Sequence, residues 1–101
     1  MTKYDKLVRD LIPDIIAAKG GKAIIRLASQ EEYEAKLRDK LLEEVNEYLA
    51  SGSPEELADI LEVVHALGEL TGHTPAQLET LRADKAVARG GFKKRIILEE
   101  S

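Results

Sequence analysis

Four acidic residues have the types and the spacing to bind a divalent metal ion. They are Glu44, Glu47, Glu56 and Asp59. The first two are three residues apart, as are the last two, so each pair lies on one face of a helix. Four like charges repel one another unless a positive charge lies among them. A divalent metal ion is the simplest such charge, and oxygen ligands favour Mg²⁺, Mn²⁺ or Ca²⁺ over zinc.

The positions of these pairs along the chain indicate that they face each other. In two antiparallel helices, residues at the same height have a constant sum of residue numbers. Glu47 and Glu56 have the same sum as Glu44 and Asp59. The four acids therefore form two rungs of a helical hairpin, one helical turn or roughly 4.5 Å apart.

The alternative is that these are ordinary surface acids. Glu56 also occupies a capping-box position, where its side chain would bind the start of its own helix. Glu43, Glu44 and Glu47 could instead pair with Lys40 on one helix face. The match in height across the hairpin favours the metal site, since either pair alone would be weak evidence.

Helix-capping motifs predict the elements that position the acids. A capping box opens each of three helices, at Ser29, Ser53 and Thr74, and a glycine follows the end of each one. The resulting helices span about 30–50, 54–70 and 75–89.

Shorter elements flank these helices. Pro13 favours the first turn of a helix, which predicts a short helix at about 13–19. Two stretches rich in β-branched residues, 23–28 and 92–98, are compatible with short strands that pair with each other. The predicted fold is all-α: an antiparallel helical hairpin with flanking helices, in a single domain that covers residues 1–101.

Composition limits the classes of function. The chain has 101 residues, which suits one domain, and aromatic residues are only 4%, so an aliphatic core of packed helices is expected. The net charge of −4 argues against binding to polymeric nucleic acid. Cysteine is absent, and neither a signal peptide nor a membrane-spanning run is evident. We therefore expect a cytoplasmic protein without a membrane partner.

Four stretches of the chain resemble a known family of nucleotide hydrolases. The central ones are E-E-x-x-E, within 40–47, and E-x-x-D, within 55–63; the outer ones are 4–13 and 85–98. Together they are similar to the MazG-like superfamily of all-α nucleoside triphosphate pyrophosphohydrolases. Within it, they look like the small single-domain proteins described as phosphoribosyl-ATP pyrophosphohydrolase-like.

The resemblance implies a metal site and a reaction. Its implied ligands for Mg²⁺, with Mn²⁺ as an alternative ion, are Glu44, Glu47, Glu56 and Asp59. The implied reaction cleaves a nucleotide between its α- and β-phosphates and releases a monophosphate and pyrophosphate. Such a reaction is compatible with clearing unwanted nucleotides, and the base and the sugar are left open.

Hydrolysis also needs a group that orients or deprotonates water, and counter-charges for the phosphates. We assign the first role to Glu43 or Glu47. Candidates for the second are the cations near the C-terminus: Lys85, Arg89, Lys93, Lys94 and Arg95. Alternatively, these cations stabilise a helix end and a solvated edge strand.

Near the N-terminus, Lys6, Arg9 and Asp10 are further candidates for ligand contact. Their segment could fold over a ligand, or Arg9 could anchor it through a salt bridge to an acid.

Two helices cannot enclose a nucleotide alone, so we expect a homodimer or homotetramer that completes a four-helix-type bundle. Two other functions compete with the hydrolase. One is a non-catalytic helical module that binds a nucleotide or a metal ion. The other is a purely structural dimerisation hairpin.

Overall fold

Four α-helices account for the regular structure of residues 3–101, the part of the chain that the computed structural model describes. Their bounds are Ile12–Ala18 (α1), Gln30–Ser51 (α2), Pro54–Leu70 (α3) and Pro75–Arg89 (α4). Each bound lies within one residue of the predicted one. The all-α prediction is therefore confirmed.

The helix ends follow the predicted capping chemistry. Thr74 and Gln77 form a complete capping box: the Gln77 amide donates to the Thr74 hydroxyl at 3.2 Å, and the Thr74 amide donates to the Gln77 side chain at 2.9 Å. At the end of α2, Gly52 adopts a left-handed conformation, with φ of 67°. This conformation favours glycine because it has no Cβ atom, and it ends the helix two residues before α3 begins.

The short connection folds α2 and α3 into an antiparallel hairpin, and α4 packs against α3. The most buried side chains of the hairpin are Leu37 on α2, Val63 on α3 and the charged Glu44 on α2. A carboxylate thus shares the interior of the hairpin with the aliphatic core.

The two predicted short strands are wrong, because residues 3–101 contain no strand. Segment 23–28 is irregular, and Ile24 is 77% exposed. Segment 92–98 begins with a turn in which the Arg95 amide donates to the Phe92 carbonyl at 3.1 Å. A β-branched composition favours strands only where another strand satisfies the backbone, and neither segment has such a partner within the described chain.

A single chain leaves much apolar surface uncovered. It exposes 9028 Å², whereas a compact protein of its mass exposes about 5,700 Å². Four leucines of the hairpin helices are among the exposed apolar residues: Leu42, Leu49, Leu57 and Leu61. The hairpin therefore leaves part of its own apolar surface uncovered.

Within residues 3–101, no helix is both long and apolar enough to cross a bilayer.

Candidate metal centre

Five carboxylates from two helices gather beside the hairpin. We call them the acid cluster: Glu43, Glu44 and Glu47 from α2, and Glu56 and Asp59 from α3. The cluster consists of two triads, and within each triad one carboxylate oxygen per residue lies within 4.8 Å of the others. Glu44 belongs to both triads and so connects the two helices.

The structure brings the predicted ligands together with one difference in arrangement. Glu44 and Asp59 share a triad, as their predicted rung requires, and Glu56 completes it. Glu47 instead joins through Glu44 and shares no triad with Glu56 in the part of the chain described. Three residues along a helix correspond to a rotation of about 60°, which turns Glu47 away from the interior and leaves it exposed.

Glu44 is the most buried member of the cluster, with 6% of its surface exposed. Its Oε1 atom lies 3.3 Å from Lys40 Nζ, whereas its Oε2 atom is buried and has no hydrogen-bond partner in the described part of the chain. Burial raises the pKa of Glu44 and nearby Glu47 also raises it, although Lys40 acts in the opposite direction. A buried anionic oxygen without a donor is costly, so this position favours an additional cation.

Among residues 3–101, three cations contact the acid cluster. Lys40 lies 3.4 Å from Glu43 as well as 3.3 Å from Glu44. Burial disfavours the charged form of Lys40, but its hydrogen bonds and attraction to these two glutamates leave its pKa raised. Lys40 is therefore a charged part of the cluster.

The other two cations come from the N-terminal segment. Lys6 Nζ lies 3.2 Å from Glu43, and Arg9 Nη2 lies 2.8 Å from Asp59. Burial opposes ionisation of Glu43, but hydrogen bonding to Lys6 and attraction to Lys40 lower its pKa overall. Arg9 thus forms the salt bridge that the anchoring alternative predicts.

The donor set fits a hard divalent cation. Among residues 3–101, three cations contact a cluster of five carboxyl groups, so the acids outnumber the cations. Carboxylate oxygens from Glu44, Glu56 and Asp59 converge from both helices, and one oxygen of Glu44 lacks a donor. Mg²⁺ and Mn²⁺ prefer oxygen ligands of this kind.

Glu56 does not act as a capping residue. The Ser53 amide, which a capping-box glutamate would bind, donates instead to the Ser51 hydroxyl at 3.1 Å. The Ser53 hydroxyl accepts from the amide of Glu55. The Glu56 side chain is thereby left to the triad with Glu44 and Asp59.

The predicted phosphate-binding cations lie apart from this arrangement. Lys85 and Arg89 line a groove of about 680 Å³ between α3 and α4. Lys93, Lys94 and Arg95 follow α4 in the exposed tail. Among residues 3–101, none of the five forms an ion pair with the acid cluster. The fold of one chain therefore does not place these cations on the acids.

A second groove, of about 550 Å³, lies between the N-terminal segment and the hairpin. Its apolar lining includes Leu7, Tyr33 and Val63. Arg9 and Lys40 also line it, and both contact the acid cluster. Sequence reasoning missed this groove and treated Lys40 only as evidence for a surface site. The spacing of Lys40 from Glu44, four residues along a helix, was the available signal.

Comparison with known proteins identifies one relative of undetermined function. An uncharacterized protein from Mycolicibacterium smegmatis is 50% identical over 46 residues, which cover 46% of this chain and 47% of that protein. The chain thus matches about half the length of this relative. No family model and no solved structure matches the chain.

Proposed function

We propose that this protein is a Mg²⁺-dependent nucleotide pyrophosphohydrolase of the MazG-like type. It would cleave the α–β phosphoanhydride of a nucleoside triphosphate or related nucleotide, releasing a monophosphate and pyrophosphate. The observation that carries the proposal is Glu44, a buried carboxylate among acids from two helices, with one oxygen that no group of residues 3–101 binds. A solvated surface pair would not need to bury such a group.

The metal ion would be held by Glu44 of α2 and by Glu56 and Asp59 of α3. Glu47 of α2 would lie beside it. Bound there, Mg²⁺ or Mn²⁺ supplies charge neutralisation for phosphate groups and lowers the pKa of a coordinated water. A general base for water needs a carboxylate that is free to accept a proton. Glu43 is engaged by Lys6 and Lys40, so we favour Glu47 for this role.

The groove beneath the N-terminal segment is suited to the nucleoside part of the ligand. Its apolar side chains, such as Leu7 and Tyr33, would contact a base, and Lys40 and Arg9 connect it to the acid cluster. Ligand sites commonly combine an apolar lining with a few such polar groups.

A homodimer or homotetramer is part of the proposal. The exposed leucines of the hairpin would be covered by a second copy, in a four-helix-type arrangement. The five C-terminal cations form no ion pair with the acids within the described chain, so their contribution to phosphate binding would come across that interface. We place the protein in the cytoplasm, where Mg²⁺ and free nucleotides are available.

A screen for pyrophosphate release tests the proposal directly. The panel should contain canonical, deoxy, oxidised and deaminated nucleotides, each with Mg²⁺ and with Mn²⁺. Glu44→Gln should abolish turnover, and Glu55→Gln, which alters an exposed acid of α3 outside both triads, should not. Binding without turnover across the panel would favour the non-catalytic module. An absence of both binding and turnover would favour the purely structural dimerisation hairpin.

A further inference from the structure

The N-terminal segment crosses the hairpin at the acid cluster and is held to α2 at its start. We call residues 5–11 the N-terminal strap. At its start, Lys36 Nζ donates to the Asp5 carbonyl at 2.7 Å. Near its end, the Ile12 amide donates to the Arg9 carbonyl at 3.1 Å, in the turn that leads into α1. Leu7 is half-buried and lines the groove between the strap and the hairpin. Lys36 and Leu7 thus hold the strap on the hairpin without the side chains of Lys6 and Arg9.

Two side chains of the strap neutralise acids on different helices. Lys6 contacts Glu43 of α2 at 3.2 Å. Arg9 contacts Asp59 of α3 through its Nη2 atom, at 2.8 Å from Oδ1. Asp59 also belongs to the triad with Glu44 and Glu56. A divalent cation held by that triad would therefore compete with Arg9 for the same carboxylate.

The contact between Arg9 and Asp59 is of a kind that can be exchanged. The two side chains are 55% and 38% exposed, and ion pairs with this exposure are individually weak. A divalent cation repels the guanidinium and attracts Asp59 more strongly than a single charge does. Once displaced, the guanidinium would stay beside the cluster because Lys36 and Leu7 hold the strap on the hairpin. Its planar fork also matches the geometry of phosphate oxygens.

We propose that Arg9 and Lys6 exchange partners on ligand binding, from Asp59 and Glu43 to the phosphate oxygens of a metal-bound ligand. Before the ligand binds, Glu43 and Asp59 thus hold the phosphate-binding side chains of Lys6 and Arg9 beside the site. This inference rests on the proposed function for its metal ion and its phosphate ligand. It differs from a purely structural anchor, in which Arg9 would keep its contact with Asp59 throughout.

Calorimetric titration separates these two roles of Arg9. The probes are Mn²⁺ alone, and inorganic pyrophosphate in the presence of saturating Mn²⁺. Arg9→Gln should bind Mn²⁺ several-fold more tightly, since a competitor for Asp59 is lost. It should bind pyrophosphate about tenfold more weakly, as expected for loss of one charge-assisted hydrogen bond. Arg38→Gln is the matched control, because Arg38 pairs with Glu34 outside the cluster, and both affinities should be unchanged.

The outcomes distinguish this inference from the proposed function. If the wild-type protein binds no Mn²⁺, the metal centre itself is refuted and the inference fails with it. If it binds Mn²⁺ but Arg9→Gln leaves both affinities unchanged, or weakens both, only the partner exchange is refuted. Opposite changes in the two affinities support the exchange.

Modification of arginine side chains by phenylglyoxal, read by mass spectrometry, gives a second test on the wild-type protein that does not depend on the variant folding. Modification of Arg9 should accelerate several-fold with Mn²⁺ and slow again when pyrophosphate is added. Modification of Arg26, in the segment before α2, should not follow this pattern. Equal rates of modification at Arg9 in all three conditions would overturn the exchange.

Discussion

Lys40 Nζ lies 3.3 Å from Glu44 Oε1, one helical turn along α2, and only 18% and 8% of these side chains are exposed. The pair satisfies one oxygen of the carboxylate and leaves Oε2 without a donor. One half of the carboxylate is therefore neutralised by its own helix. The other oxygen has no donor among residues 3–101, and Glu44 shares a triad with Glu56 and Asp59 of α3.

Glu44→Gln should stabilise the protein in the presence of a chelator. The substitution removes a buried negative charge from a cluster with excess negative charge, and its new amide group can donate to neighbouring carboxylates. We expect a gain of about 1 kcal/mol in the free energy of unfolding, measured with urea. Glu55→Gln should change it little, because Glu55 is exposed. If Glu44→Gln lowers the free energy of unfolding and Glu55→Gln does not, the charge of Glu44 is already fully compensated in the wild-type protein.

Mg²⁺ or Mn²⁺ should stabilise the wild-type protein through Asp59. At a concentration of about 100 times the dissociation constant, binding to the folded state alone adds about 2.7 kcal/mol. For a domain of this size, the corresponding rise in melting temperature is roughly 10–20 °C. Asp59→Asn should lose most of this shift in a thermal scan. Asp84→Asn, on α4 and outside both triads, should retain it; equal shifts in both variants would exclude Asp59 as a ligand.

The helix ends were predictable because their determinants are local. Thr74 and Gln77 are three residues apart and form their capping box without help from the rest of the fold. Glu56 shows the limit of that reasoning. Its spacing from Ser53 is the same, but the nearby Ser51 hydroxyl binds the Ser53 amide instead. Ser51 lies outside the capping-box motif, so the motif alone does not predict that the Glu56 side chain joins the acid cluster.

The remaining discrepancies come from contacts distant in sequence. Segments 23–28 and 92–98 have the composition of strands, but composition does not state whether a partner strand will be adjacent. Lys40 and Glu44 have the spacing of an ordinary surface pair. Their burial in the hairpin, and the approach of Lys6 and Arg9 from the N-terminal strap, follow only from the tertiary fold.

Lys40→Met should destabilise the protein in the absence of metal. Removing the ammonium group leaves Glu44 buried without its partner and removes one of the two lysine contacts of Glu43. We expect a loss of about 1–3 kcal/mol in the free energy of unfolding, measured with urea. Lys36→Met is a less suitable control because Lys36 anchors the N-terminal strap, so Lys85→Met on α4 should be used. An unchanged free energy in Lys40→Met would mean that water replaces the lysine at no cost.

Exposed leucines of the hairpin should hold the oligomer together. Leu42 and Leu49 are 62% and 74% exposed in a single chain, and burying each against a second copy is worth about 2 kcal/mol. The double change Leu42→Gln and Leu49→Gln should therefore raise the dissociation constant by at least about a hundredfold. Sedimentation velocity measures the effect, and circular dichroism checks that helix content is kept. A monomeric wild-type protein would refute the oligomer.

Arg26→Gln should increase the mobility of the irregular segment before α2 at neutral pH but not at low pH. Arg26 pairs with Glu32 in the first turn of α2, and one of its hydrogen bonds is 2.8 Å long. Hydrogen bonding to Arg26 is the main cause that lowers the pKa of Glu32, and burial opposes it. The pair therefore contributes stability above the unfolded-state pKa of Glu32, and this contribution is lost as the pH falls through the lower folded-state pKa.

Amide hydrogen exchange of residues 23–28 measures this release. At neutral pH, Arg26→Gln should exchange faster than the wild-type protein, by a small factor because the pair is exposed. Below the folded-state pKa of Glu32, the two proteins should exchange at the same rate, since the carboxylate is then neutral. Arg82→Gln, which removes a comparable pair with Glu79 on α4, should leave segment 23–28 unchanged at both pH values. A difference between Arg26→Gln and the wild-type protein that persists at low pH would show that Arg26 holds the segment by packing rather than by charge.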